Sequence, residues 1–206
     1  MLLEIHPDNP SERKIRQVVD LLENDGVIIY PTDTVYALGC DLLSKKGLEQ
    51  IARIRGINPS KARFSFICEN FSQLAEYAAQ IDNEVFRLMK QLLPGPYTFI
   101  LKASHQVPKI IQGKRASIGV RVPNNNIPLE IVRMLGRPII TASLKTDQEE
   151  DILEYLTDPR DIDDRFSKMV DLIIDGGPGG NEGSTVIDCT TSPPELIRQG
   201  IGPIDL

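Results

Sequence analysis

The sequence predicts one α/β domain in which helices flank a twisted, mixed sheet. Short runs rich in Val, Ile and Phe alternate along the chain with segments whose apolar residues recur at helical spacing. The length of 206 residues fits a single domain. A composition of 41% hydrophobic and 25% charged residues is that of a folded globular protein, which excludes disordered and fibrous classes.

Seven of these runs have the length and composition of strands, and turn-forming residues bound most of them. We predict strands over residues 27–30, 64–68, 97–102, 118–122, 139–141, 172–174 and 185–188. Because helical segments separate many of them, we expect the sheet to be mixed or largely parallel.

Between the strands, apolar residues recur three and four positions apart, which is typical of helices with one buried face. The first such helix spans residues 12–24 and closes at Gly26. A second helix ends before Gly56, and a third ends before Pro94. Pro128 suits the first turn of a fourth helix.

The formal net charge of −6 is concentrated in one part of the chain. Residues 147–165 hold nine acids against two arginines, so this stretch carries −7 and the remainder +1. We predict an exposed helical face over residues 147–168, and a metal site built from carboxylates is the alternative. Net acidity also argues against general binding of polyanions, which needs clustered Lys and Arg.

Cysteine and histidine are scarce. The three cysteines are far apart and form no CxxC pair, which favours reduced thiols over disulfides or a zinc site. Two histidines provide little material for a metal cluster or a Ser-His-Asp triad. The first residues do not resemble a signal peptide, and no run approaches the ~18 apolar residues of a membrane span. We expect a soluble, cytoplasmic protein with no membrane partner.

A first group of candidate site residues follows the strand at residues 27–30. Thr32, Asp33, Thr34 and Tyr36 place two hydroxyls, a carboxylate and a phenol on one short loop. Such groups can hydrogen-bond the hydroxyl, amine and carboxylate of a small polar ligand. In the alternative interpretation, the Asp and Thr side chains bond the backbone of their own turn.

A second group is basic. Arg53, Arg55, Lys61 and Arg63 occur within a short segment that contains no acid. Guanidinium groups bind oxyanions through paired hydrogen bonds, so this segment could clamp phosphate or carbonate. Alternatively, Arg53 and Arg55 only stabilise the C-terminus of a helix.

Further candidates lie downstream. Arg121 stands among apolar residues of a strand, so its charge needs either an internal acidic partner or an anionic ligand. Lys114 and Arg115 add positive charge just before it, and Arg198 is either a surface cation or a phosphate contact. Residues 175–185 are rich in glycine but lack the G-K-[ST] of a phosphate loop. We predict either a loop that approaches a ligand or a plain surface connection.

Five segments carry the most specific signal in the chain. They are YPTDTVY at residues 30–36, PGPYTFIL at 94–101, SIGVRVP at 117–123, STVID at 184–188 and IRQG at 197–200. In this order they resemble the signatures of YrdC-like proteins, which implies a YrdC-like domain over residues 8–200. The resemblance also implies a positively charged concave face that binds nucleotides and double-stranded RNA. The best-known members make threonylcarbamoyl-AMP from threonine, bicarbonate and ATP for tRNA modification.

The resemblance implies roles for individual residues. The threonine-binding wall would consist of Thr32, Thr34 and Tyr36, and the catalytic pair that handles ATP phosphate and bicarbonate would be Arg53 and Arg55. The nucleotide would contact a further set: Arg121, Ser143, Ser184 and Arg198. ATP would be a substrate, accompanied by Mg²⁺, with no metal site formed by the protein itself. Transfer RNA or double-stranded RNA would be a partner.

Three departures from the family pattern resemble the YciO branch. Arg53 replaces a Lys, Ala37 replaces a Gly, and Ala-Ser-Leu at residues 142–144 stands where the family has Ser-Ala-Asn. Two hypotheses follow. The chain is a threonylcarbamoyl-AMP synthase, or it is a homologue without this activity that binds nucleotide or RNA or acts on another phosphorylated small molecule.

Overall fold

One mixed sheet of ten strands runs through the computed structural model, which describes residues 1–58, 64–108, 111, 116–144 and 156–204. The strands are β1 Leu2–Glu4, β2 Val27–Tyr30, β3 Ala37–Asp41, β4 Ser65–Ile67, β5 Tyr97–Lys102, β6 Ser117–Arg121, β7 Ile139–Ser143, β8 Leu172–Asp175, β9 Thr185–Asp188 and β10 Glu195–Arg198. Their order across the sheet is β1-β8-β2-β3-β7-β4-β6-β5-β9-β10. Pairs β1–β8, β2–β8, β4–β6 and β5–β9 are parallel, and the other neighbours are antiparallel. The predicted α/β class with a mixed sheet is confirmed.

Six helices flank the sheet in the described residues: α1 Glu12–Glu23, α2 Lys45–Ile54, α3 Phe71–Tyr77, α4 Asn83–Leu92, α5 Asn126–Leu135 and α6 Pro159–Phe166. The first helix ends one residue earlier than predicted, and the left-handed residue after it is Asp25, with φ +66°, rather than Gly26. Gly26 is favoured for space instead, because a Cβ there would lie 2.7 Å from the carbonyl oxygen of Leu21.

Each face of the sheet carries its own core. On the first face, α1 and α5 pack on alternate strand residues, namely Ile28, Tyr30, Ala37, Ile67, Ile139, Leu172 and Ile174. On the second face, side chains of α2, α3, α4 and α6 pack on the strand residues between them, which include Leu38, Phe66, Phe99, Val120, Ile140, Ile173 and Ile187. The alternation follows from the two-residue period of a strand.

The core on the first face takes its strand residues from β8, β2, β3, β7 and the end of β4. Beyond that point, most residues that alternate onto this face are small or polar, and two half-buried apolar residues, Ile100 of β5 and Val186 of β9, lie among them. The small or polar residues include Ser65, Gly119, Arg121, Thr98 on β5 and Ser184 just before β9. We call the part of the first face formed by these five residues the open face.

The acidic stretch is described only from residue 156 onwards, and residues 145–155 lie outside the described part of the chain. Within α6, Asp161 and Asp164 are exposed while Ile162 and Phe166 are buried, as expected for an exposed acidic helical face. None of the described helices is both long enough and apolar enough to cross a membrane.

Candidate functional site

The loop at residues 31–36 joins β2 to β3 and carries the first predicted group. Thr32 Oγ1 accepts a hydrogen bond from the Thr34 amide at 3.1 Å and donates to the Val35 carbonyl at 2.8 Å. The hydroxyls of the two threonines lie 3.0 Å apart, and both side chains are buried. The turn interpretation therefore describes Thr32, whose hydroxyl satisfies the backbone of its own loop.

Asp33 in the same loop pairs with Arg121 of β6. Nη2 of Arg121 donates to Asp33 Oδ1 at 2.7 Å and to Thr34 Oγ1 at 3.2 Å. Asp33 Oδ2 accepts from the amide of Asn124 at 2.9 Å. Each side chain of the pair is 8% exposed, so the internal ion pair expected as one alternative for Arg121 is present. Nε of Arg121 is also buried, and it has no hydrogen-bond partner in the described part of the chain.

Tyr36 is bound by the glycine-rich segment. Its hydroxyl donates to the Gly177 carbonyl at 2.7 Å and accepts from the Gly176 amide at 3.2 Å. Burial raises the pKa of Tyr36 to about 12, so the phenol is a neutral hydrogen-bonding group at pH 7.

The glycine-rich segment lies directly on the 31–36 loop. A Cβ on Gly179 would be 2.6 Å from Cδ2 of Tyr36, and one on Gly180 would be 2.1 Å from the carbonyl oxygen of Thr34. Gly180 therefore allows two backbones to approach, and Gly179 leaves room for the ring of Tyr36. The segment is more than the plain surface connection considered from the sequence, because it fixes Tyr36 and covers the loop.

Ser184 is buried on the open face. Its Oγ lies 2.8 Å from Oγ1 of Thr98, and its carbonyl accepts from Nη2 and Nε of Arg198 at 2.7 and 3.3 Å. Arg198 is exposed, and these two donors point at backbone. Neither interpretation made from the sequence included this contact.

The two predicted catalytic arginines stand on a helix that packs on the second face. Arg53 is exposed in the last turn of α2, and Arg55 is the half-buried residue that caps its C-terminus. The first turn of α2 lies beside Cys40, near the C-terminal end of β3. The helix therefore runs antiparallel to β3, and its C-terminus, with the two arginines, is directed towards the start of that strand. Other predicted cations lie outside the described residues, namely Lys61, Arg63, Lys114 and Arg115.

Residues 142–144 alternate between the two faces. Ala142 and Leu144 are buried in the core of the second face. Ser143 is half-buried and stands opposite Ala37, which belongs to the core of the first face. A hydroxyl at 142 or an amide at 144 would enter the core, so these two replacements remove no polar group from the first face.

Thr98, Gly119 and Ser65 also contribute to the open face, and the sequence analysis did not select them as site residues. A signal was available, since a glycine inside a strand often marks close approach of a ligand or backbone. Gly119 interrupts the apolar run of β6 in this way, and Thr98 interrupts the run of β5.

Comparison with known proteins defines the class of protein. The Sua5/YciO/YrdC family model, whose description is "Telomere recombination", matches residues 20–200, and the chain belongs to this family. The uncharacterized protein YciO of Escherichia coli (strain K12) is 45% identical over 201 residues, which cover 97% of this chain and 95% of YciO. The crystal structure of E. coli YciO matches with a TM-score of 0.90 and 43% identity, over 98% of this chain and 97% of that one.

Threonylcarbamoyl-AMP synthases are more distant relatives. The synthase of Pyrococcus abyssi is 32% identical over 197 residues, which cover 95% of this chain and 56% of the synthase. The crystal structure of P. abyssi Sua5 complexed with L-threonine matches with a TM-score of 0.87 and 30% identity, over 97% of this chain and 57% of Sua5. This chain therefore corresponds to about half of the longer synthase and to nearly all of YciO.

Proposed function

We propose that this chain binds ATP and a small amino acid beside the open face and converts them, with bicarbonate, into threonylcarbamoyl-AMP. The amino acid is bound by Thr32, Thr34 and Tyr36. The nucleotide is bound by Arg121, Ser143, Ser184 and Arg198. The observation that supports this most directly is the Asp33–Arg121 ion pair, because it holds the amino-acid loop against the strand that carries a nucleotide residue.

The proposed reaction needs positive charge. Threonine and bicarbonate give a carbamate and water, and a carbamate oxygen then displaces pyrophosphate from the α-phosphorus of ATP. Both reactants are anions, so cations must offset their repulsion and stabilise the charge of the transition state. We assign this role to Arg53 and Arg55, whose guanidinium groups suit phosphate and carbonate oxygens. Their helix packs on the second face, so they would act from its C-terminus, which is directed towards the start of β3 and the 31–36 loop.

Mg²⁺ enters this scheme bound to the phosphates of ATP. The described residues contain no group of three or more His, Cys, Asp or Glu side chains that could hold a metal ion. The site described above therefore offers no carboxylate cluster for a resident metal, and the proposal assigns none.

Pyrophosphate release by the purified protein with ATP and Mg²⁺ tests the proposal. We expect release only when threonine and bicarbonate are both present. Arg55→Ala should lower the rate by about 100-fold, as expected when a group that stabilises developing charge is removed. Arg87→Ala, an exposed arginine on α4, is the matched control and should leave the rate unchanged. Absence of release under these conditions would overturn the synthase assignment.

A second candidate function is binding of nucleotide or duplex RNA without this chemistry. It is supported by the internal partners of the proposed threonine wall: Thr32 bonds Val35, Thr34 bonds Arg121, and Tyr36 bonds Gly177. This candidate predicts binding of ATP or duplex RNA that weakens with added salt and with Arg55→Ala, with no release of pyrophosphate.

A further inference from the structure

Three exposed apolar residues lie close together in the chain at one edge of the sheet. β10 is the last strand of the sheet on that side, and it carries Leu196 and Ile197, which are 43% and 51% exposed. Ile201, in the turn that follows the strand, is 48% exposed. An edge strand also presents backbone N–H and C=O groups that no neighbouring strand uses. Exposed apolar side chains beside such groups are typical of a surface that binds another strand.

The register of β10 against β9 determines which of its residues share a face. Glu195 and Arg198 stand opposite residues 188 and 186 of β9, whose side chains alternate onto the same face. Residues three apart in a regular strand lie on opposite faces. The register shift between Leu196 and Arg198, a β-bulge, adds one residue to β10 and removes this difference. Glu195 and Arg198 therefore lie on one face of the strand.

The charges of β10 are self-complementary. The strand reads Glu-Leu-Ile-Arg, which is an acid, two apolar residues and a base. Two such strands can pair antiparallel about a twofold axis between residues 196 and 197. Glu195 of each copy then stands opposite Arg198 of the other, and Leu196 stands opposite Ile197. Directly opposed residues must share a face, and the bulge meets this condition for the two charged residues.

The charged residues are placed to make this contact. Nε and Nη2 of Arg198 donate to the carbonyl of Ser184 at 3.3 and 2.7 Å, which holds the guanidinium on the face shared with Glu195. Nη1 of Arg198 makes no hydrogen bond within the described part of the chain. Glu195 is exposed, and its carboxylate has no ion-pair partner among the same residues. Each copy therefore offers one free carboxylate and one free donor group.

The bulge in β10 bears on the choice of partner. A bulge, like an edge Lys or Pro, usually discourages pairing with foreign strands. β10 contains neither Lys nor Pro, and its bulge aligns the two charges for pairing with an identical strand. A twofold interface uses the same patch on both subunits, and this patch matches itself in charge and in apolar content.

We propose that β10 binds β10 of a second copy of this chain, so that the two sheets join across a twofold axis. The inference goes beyond the proposed function and needs no nucleotide, although it uses Arg198, which that function assigns to the nucleotide. Only four residues of each copy pair along the strand, so the interface is smaller than that of obligate dimers. We therefore expect monomer and dimer to exchange as the protein concentration changes.

Sedimentation velocity of the full chain without nucleotide, over a series of protein concentrations, tests the inference. We expect the dimer fraction of the wild type to rise with concentration. Glu195→Arg and Arg198→Glu should each weaken association by about 10-fold or more, because each places like charges opposite one another twice per dimer. Glu84→Arg and Arg87→Glu make the same charge changes at exposed positions of α4 and should leave association unchanged.

A mixture of the two charge variants distinguishes pairing between copies from effects within one chain. Glu195→Arg and Arg198→Glu proteins in equal amounts should associate with each other about as tightly as the wild type does. The reason is that every opposed pair then joins an acid and a base again. Ile197→Asp tests the same edge without altering the contact of Arg198 with Ser184, and it should also weaken association by about 10-fold or more.

Each remaining outcome overturns the inference. A wild type that stays monomeric at every concentration shows that β10 does not pair. A dimer that survives Glu195→Arg, Arg198→Glu and Ile197→Asp uses another surface. Charge variants that weaken the dimer but do not associate when mixed contradict the pairing of Glu195 with Arg198. Thermal melting of every variant distinguishes lost association from lost fold, and none of these results depends on pyrophosphate release.

Discussion

The buried pair of Asp33 and Arg121 is the strongest electrostatic contact at the candidate site. We predict that Arg121→Met lowers the free energy of unfolding by about 3–5 kcal/mol, because it leaves a buried carboxylate without its cation. Asp33→Asn combined with Arg121→Met should cost much less than the sum of the single changes. Urea denaturation of the four proteins measures this coupling.

An exposed ion pair provides the control for that cycle. Arg133 pairs with Glu130 on the surface of α5, and Arg133→Met should change the free energy of unfolding by about 0–1 kcal/mol. Strictly additive effects of Arg121→Met and Asp33→Asn would contradict the view that the two side chains stabilise each other.

The family pattern and the structure lead to different expectations for the residue at position 144. Leu144 stands where the family pattern has Asn, yet it is packed in the core of the second face. We predict that Leu144→Asn lowers the free energy of unfolding by about 2–4 kcal/mol, because it buries an unpaired amide in place of an apolar side chain. It should not increase pyrophosphate release.

Ser143→Ala, next to Leu144 but directed to the other face, is the matched control. It should change stability by about 0.5 kcal/mol or less, since the half-buried hydroxyl fills no core position. A stable Leu144→Asn protein with higher activity would contradict the conclusion that residue 144 belongs to the core of the second face.

At the scale of elements, the apolar pattern of the sequence was sufficient to predict the strands that are rich in β-branched residues. All seven predicted strands are present: three have the predicted bounds, and the other four have ends shifted by one or two residues. β3 was not predicted, because Ala-Leu-Gly-Cys-Asp has weak strand propensity. It forms a strand because it is hydrogen-bonded between β2 and β7 in the sheet. β10 is an exposed strand at the edge of the sheet, and among the described strands it pairs with β9 alone.

In the glycine-rich segment, close packing as well as backbone conformation explains why glycine is present. At Gly180 the nearest atom to an added Cβ would be a backbone oxygen, which cannot rotate away. We predict that Gly180→Ala lowers the free energy of unfolding by about 1–3 kcal/mol, the usual cost of overpacking. Asn181→Ala, at the exposed neighbour, should be nearly neutral in the same thermal or urea measurement. Equal stability of the two variants would contradict close packing on the 31–36 loop.

At the scale of the molecule, the candidate site joins residues that are distant in the chain. Asp33 and Arg121 are 88 residues apart, and the hydroxyl of Tyr36 bonds a carbonyl 141 residues away. Chemically suitable side chains could be selected from the sequence, as Thr32, Asp33 and Arg121 were. The turn partners of Thr32 are local and were among the expectations. The partners of Asp33, Tyr36 and Arg121 could not be predicted, because each of these pairings depends on the strand order of the whole sheet.

The two cores give the last prediction. Strands β2, β3 and β7 contribute alternate residues to both faces, so neither core can open without disturbing the other. We predict that Ile131→Ala on the first face and Ile51→Ala on the second each lower stability by about 2–5 kcal/mol. Each should do so within one cooperative transition, followed by circular dichroism and by tyrosine fluorescence, since the chain has no Trp. Transitions that separate between the two probes, or a variant that unfolds one face alone, would show that the sheet does not couple the cores.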